Sequence, residues 1–191
     1  MCLDLLADSR FFSLLLDIDC DLAAQTRAAA CSCGGPLYVA HFARKPRGAR
    51  CELPEDYDLR LSFCCGREGC RRRATPPSVR FLGPKVYLAA TIVLVTTLRH
   101  GSSPQRLATL RSLFGVESAT VRRWRTWWLT RFASSPFGRS LRALFSADLD
   151  VRDLPGSLLS AFGGVLPDAL VALLRVLGPI TTRPGLASHV P

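Results

Sequence analysis

Acidic residues are nearly missing from the middle of this 191-residue sequence: residues 61 to 147 hold two of them against fifteen Lys and Arg. Methionine occurs once and histidine three times, at positions 41, 100 and 189. No histidine lies in a recognisable nucleophile motif beside a cysteine, so catalysis by a thiol with a histidine base is not expected. Long apolar runs are missing too. The longest, residues 86–98, has 13 residues with three Thr, against the roughly 18 to 20 that a spanning helix needs. A second run, 169–177, contains Arg175. Both read as buried helices, and no membrane partner is expected. The first residues lack the basic start of a secretory signal, and Asp17, Asp19 and Asp21 break up the apolar residues beyond it. The expected compartment is therefore the reducing cytoplasm, where clustered cysteines are more often metal ligands than disulfides. Internal repeats, collagen-like composition and coiled-coil heptads are absent.

Apolar residues make up 48% of the chain, ample for a packed core in one compact domain or two small ones. The net charge is +10, and its location is informative. Residues 61–147 carry +13 and the rest of the chain −3, so one central region owns the positive excess. This points to a polyanionic partner, either nucleic acid or an anionic surface.

The expected fold is α+β, mainly α. Residues 1–30 are a helical segment, read as a packing helix pair with Leu14, Leu15, Ile18 and Leu22 at helical spacing. Residues 31–83 change to Gly, Pro and short alternating runs, with strands expected at 37–42, 59–63 and 78–82. Residues 84–147 form a helical domain, with helices at 85–99, 104–114, 118–132 and 136–146. Residues 148–191 form an apolar tail with two short helices.

Six of the eight cysteines lie between positions 31 and 70. They form two knuckles, Cys31-Ser32-Cys33-Gly34-Gly35 and Cys65-Gly66-Arg67-Glu68-Gly69-Cys70. Zinc favours four tetrahedral N or S ligands, and a short Cys-to-Cys spacing lets both thiolates of a pair reach one ion. The expected ligands are Cys31, Cys33, Cys65 and Cys70, in a small three-stranded zinc ribbon. Cys64, Cys51 or His41 can substitute for one of them, and a set of unmetallated buried thiols is the plain alternative. Four thiolates leave no open position, so such a zinc would be structural. Cys2 and Cys20 are expected in the core.

Arg71, Arg72 and Arg73 follow the second knuckle, with Arg80 and Lys85 beyond, and this run is expected to form a positive ridge for phosphate contacts. Residues 107–125 read as helix-turn-helix. Leu107, Leu110 and Leu113 line the first helix, Gly115 takes the turn, Val116 plugs the core, Ser118 caps the second helix, and Val121 and Trp124 pack back. Ala119, Thr120, Arg122, Arg123 and Thr126 are left on the outer face, beside Arg125. An ordinary helical hairpin is the alternative, but it does not require these arginines to cluster. Trp127 and Trp128 are expected in the core. Arg131, Arg139 and Arg142 extend the positive field.

The order of parts resembles the N-terminal DNA-binding region of bacterial insertion-sequence transposases and the short proteins related to them. The resemblance covers residues 31 to about 132. It rests on the first knuckle, on Phe63 to Arg73, and on Leu113-Phe114-Gly115-Val116-Glu117-Ser118-Ala119-Thr120-Val121-Arg122-Arg123-Trp124. It implies double-stranded DNA as partner, a bacterial, nucleoid-associated location, and DNA contacts from Arg71, Arg72, Arg73, Ser118, Thr120, Arg122, Arg123, Arg125 and Thr126. The catalytic domain of that family, with its three carboxylates, has no counterpart in residues 148–191, so no enzymatic activity is expected. Two alternatives stay open: a nuclease or recombinase subunit using Asp148, Asp150 and Asp153 with a divalent metal, and a protein-interaction module with a structural zinc. The apolar tail is also a candidate homodimer interface.

Overall fold

The computed structural model describes residues 3–82, 86–97, 103–145 and 149–182. It is mixed α+β and mainly helical. Helix α1 spans Ser9–Ala28 and follows a short 3-10 turn at Asp4–Ala7, so one long helix replaces the expected pair. Asp8 caps it by accepting a hydrogen bond from the Arg10 amide at 2.9 Å. Phe11, Leu15, Ile18 and the half-buried Leu22 form its inner stripe, and Leu14 is left outside, 45% exposed.

The strands are β1 (Leu37–Val39), β2 (Phe42–Ala43), β3 (Leu59–Arg60), β4 (Phe63–Cys65) and β5 (Arg73–Ala74). An antiparallel sheet runs in the order β1-β4-β5, and β2 pairs with β3 separately. The expected strand at 37–42 is split into β1 and β2, and between them His41 Nδ1 lies 3.1 Å from the Ser62 amide and 3.0 Å from its carbonyl. Residues 78–82 do not join the β1-β4-β5 sheet. Their amides turn to side chains instead: Val79 donates to Asp19 Oδ1 (2.7 Å), and Arg80 and Phe81 donate to Ser78 Oγ (3.2 Å each). The third strand is β5.

Arg80 is likewise buried rather than part of a surface ridge. Its Nε donates to Asp19 Oδ2 at 2.8 Å, and its remaining nitrogens donate to the carbonyls of Tyr57 (2.7 Å) and Leu59 (2.9 Å). Ser78 Oγ completes the carboxylate's partners at 2.5 Å. This network ties α1 to the turn before β3 and to the segment after β5.

Helix α2 (Ala89–Thr96) is apolar on every side and buried throughout, as a central core helix must be. Helix α3 (Pro104–Phe114) and helix α4 (Ser118–Trp127) are joined through Gly115, whose φ of 63° is left-handed. Helix α4 continues into a π-helical turn at Trp128–Phe132, which lets Trp127, Trp128 and Phe132 all face inward. Helix α5 (Pro136–Leu144) begins at Ser135, whose Oγ accepts from the Gly138 amide at 2.9 Å. Helices α6 (Gly156–Ala161) and α7 (Leu166–Leu177) follow.

Two cores result. The main one gathers the first half of α1, Tyr57, residues 79–82 and helices α2 to α7. A small second core holds Ala23, Leu37, Leu61, Phe63 and Cys65, with Cys31, Cys33 and Cys70 packed against it. The C-terminal helices belong to the main core: Leu170, Leu173, Leu174 and Leu177 are all buried within the chain. Within the chain, α7 packs on α2 and α6. No helix among the described residues is long and apolar enough to cross a membrane.

Candidate metal centre and basic helix

The two knuckles bring Cys31, Cys33, Cys65 and Cys70 together, with all four Sγ atoms within 4.8 Å of one another. The first knuckle closes as a turn, the Gly34 amide donating to the Cys31 carbonyl (2.7 Å) and the Cys31 amide to the Gly35 carbonyl (3.1 Å). The second closes with the Cys70 amide on the Arg67 carbonyl at 3.1 Å. Pairing of β1 with β4 sets Leu37 opposite Cys65, and the Gly66 amide donates to the Pro36 carbonyl at 2.9 Å, so the sheet fixes one knuckle against the other.

The distances fit a single ion. A tetrahedron with metal–sulfur bonds of about 2.3 Å has S···S edges of about 3.8 Å. The Cys31–Cys70 and Cys33–Cys65 Sγ pairs lie 3.8 and 3.6 Å apart, and all four are free thiols. Gly35 is required beside them, since a Cβ there would come within 2.8 Å of Cys65 Sγ and 3.3 Å of Cys33 Sγ.

The electrostatics favour thiolate at one member of the set. A hydrogen bond from the Gly35 amide, helped by the Cys70 thiol, draws Cys33 down to about 6. At Cys65 the Arg67 amide at 3.4 Å pulls the same way, but burial and the neighbouring thiols outweigh it and push this thiol up to about 12. Arg67 also donates to the Cys33 carbonyl at 2.6 Å, and Arg72 to Ser32 Oγ at 3.3 Å. These two arginines clamp the first knuckle from the second. The sequence signal for Arg67 was its place inside a Cys-to-Cys loop, which alone does not name a partner.

The possible substitutes lie elsewhere. His41 Nδ1 is taken by the Ser62 amide, the Cys64 thiol donates to the Arg71 carbonyl at 3.5 Å, and Cys51 packs against the main core. Cys20, expected in the core, is exposed, and Cys2 lies outside the described residues. No other group of three or more His, Cys, Asp or Glu able to hold an ion exists among the described residues. Asp148 lies outside them. Asp150 Oδ1 accepts from the Arg152 amide at 2.8 Å, capping a 3-10 turn, and Asp153 packs against Gly156.

Helix α4 has the expected division of faces. Val121, Trp124 and Trp127 are buried, and Val116 is buried in the turn before it. Ala119, Arg122, Arg123 and Thr126 are exposed, while Ser118, Thr120 and Arg125 are half-buried. Arg123 donates to Thr120 Oγ1 at 3.0 Å. Ser118 is not the cap. Glu117 holds that position without a side-chain cap bond, because its carboxylate reaches back to Arg111 Nε at 3.0 Å and braces α3 to the turn. Tyr87 adds a second brace, donating to the Gly115 carbonyl at 2.6 Å and packing edge-on against Trp124 at 5.1 Å. Arg71, Arg72 and Arg73 are exposed, as are Arg131 and Arg139; Arg142 is half-buried and donates to the Ala133 carbonyl at 3.1 Å. Lys85 lies outside the described residues.

The fold and site define a mainly helical α+β protein with a four-thiol cluster able to hold a metal ion. Comparison with family models, curated proteins and solved structures finds no match.

Proposed function

We propose that the chain is a double-stranded DNA-binding protein braced by a structural zinc ion, related to insertion-sequence transposases and without a catalytic domain of its own. In this reading Cys31, Cys33, Cys65 and Cys70 ligate the ion and close the β1-β4-β5 sheet as a zinc ribbon. Helices α3 and α4 act as a helix-turn-helix. The observation that carries the reading is the outer face of α4: Arg122 and Arg123 stand exposed beside Ala119 and Thr126, directly opposite a buried Val121–Trp124–Trp127 face. A helix of that kind fits the major groove, where arginine reads guanine edges or grips phosphate and small neighbours permit close approach. Thr120, Ser118 and Arg125 flank it, and Arg71 to Arg73 supply backbone contacts from the ribbon. The zinc assignment follows from the donor set. Four thiolates suit a borderline-soft ion in a closed tetrahedral site that contributes folding free energy and activates no water.

Duplex binding compared between wild type, Arg122→Ala and Cys70→Ser tests the reading. The expected result is weaker DNA binding with intact metal content for the first, and loss of metal together with loss of the ribbon's fold for the second. Unchanged DNA affinity in a variant carrying both Arg122→Glu and Arg123→Glu would overturn it.

A further inference from the structure

Pairing of Tyr38 with Cys64, and of Cys64 with Arg73, sets these three side chains in a row on one face of the β1-β4-β5 sheet. The opposite face carries Leu37, Phe63 and Cys65 into the small core. The outer face is unusual for a surface: Tyr38 is 61% exposed and Phe42, alongside, is 38% exposed. Both rings are positioned. The Tyr38 ring lies against Gly66, where any Cβ would come within 2.0 Å of it, and the Arg73 guanidinium sits 5.5 Å from the centre of the Phe42 ring. Arg71 adjoins, its carbonyl accepting from the Cys64 thiol at 3.5 Å, whereas Arg72 turns to Ser32 of the first knuckle, and the only acidic residue between positions 61 and 82 is Glu68.

We propose that this face binds single-stranded DNA, an unpaired base stacking on Tyr38 while Arg71 and Arg73 hold the adjacent phosphates. Aromatic rings interleaved with arginines match a single strand, whose bases offer free π-faces at short intervals along an anionic backbone. A duplex keeps those faces stacked on one another, so it can meet the arginines and leave Tyr38 unused. A protein partner for so basic a surface would have to be acidic, and nothing about a carboxylate calls for an exposed ring. The choice of DNA over RNA rests on the DNA-binding reading above.

The test is fluorescence anisotropy with the metal-loaded full chain and three labelled probes: a thymidine oligomer of about a dozen nucleotides, a duplex of the same length, and the uridine oligomer. Tyr38→Ala is expected to weaken thymidine binding about thirtyfold, the middle of the range for loss of one base stack. Tyr38→Phe should bind as wild type does, Arg73→Ala should weaken single-strand binding as well, and the duplex affinity of both Tyr38 variants should stay at the wild-type value. Metal content is measured in each variant, and equal content establishes that the ribbon is folded. Wild-type thymidine binding by Tyr38→Ala, an equal loss on single strand and duplex, or a tenfold preference for uridine would overturn the proposal. A chain that binds the thymidine oligomer with this Tyr38 dependence and ignores the duplex would support it while sinking the duplex reading.

Discussion

Gly35→Ala is the sharpest probe of the metal centre. The added methyl would lie 2.8 Å from both Cys65 Sγ and Arg67 Cβ, and 3.3 Å from Cys33 Sγ. Ordinary contact distances are about 3.5–4.0 Å. None of these neighbours can retreat freely. Both sulfurs sit at ligand spacing, with Cys33 and Cys65 3.6 Å apart, and Arg67 is tied to the Cys33 carbonyl at 2.6 Å. Overpacking of this kind costs about 1–3 kcal/mol. Because the strain falls on two of the proposed ligands, it should appear in the metal equilibrium, where about 1–3 kcal/mol is a fall of roughly 5- to 150-fold in affinity. Competition of the loaded protein against a chromophoric chelator measures it. Gly34→Asn is the matched control, since position 34 has φ 77° and open space around it, and asparagine tolerates the left-handed region. It should bind metal nearly as wild type does. Wild-type metal affinity in Gly35→Ala would refute the assignment of Cys33 and Cys65 to one ion.

Asp19→Asn should destabilise the chain by about 3–5 kcal/mol in urea unfolding, because it leaves the buried Arg80 guanidinium without its counter-charge; a change below about 1 kcal/mol would contradict a structural role for this pair. Gly115→Val should lower stability by about 1–2 kcal/mol, measured by thermal melting, since a β-branched residue resists φ 63° at the turn between α3 and α4. Removing the metal with a strong chelator should abolish amide-exchange protection in β1, β4 and β5 while protection in α2 and α7 survives, because the two sets of elements lie in separate cores.

What could be read from the sequence depended on how local each determinant is. The four thiols were legible because each knuckle declares itself within a few residues, and the pairing of knuckles needed only two strands to close. The inner and outer faces of α4 were legible because helical periodicity is local too, down to the two tryptophans turning inward. Arg80 was not legible. Its partner Asp19 is 61 residues away in sequence, and an arginine close behind Arg71-Arg72-Arg73 reads as one more surface charge until the fold closes around it. Ser118 resembled a cap because serine commonly is one; Glu117 takes that place with its carboxylate engaged by Arg111. The packing of α7 on α2 and α6 was not legible either, because an apolar helix carries no record of which surface it covers. Tyr38 gave no signal at all, since its position depends on Gly66 across a strand pair.

The most direct test of the DNA-binding account is the salt dependence of duplex binding by the metal-loaded chain. Each phosphate neutralised contributes a slope of about −0.9 to log K against log salt. With Arg71, Arg72, Arg73, Arg122 and Arg123 all engaged, the account predicts a straight line of slope about −4.5. Affinity that does not change with salt, or no detectable duplex binding at the lowest salt, would contradict it.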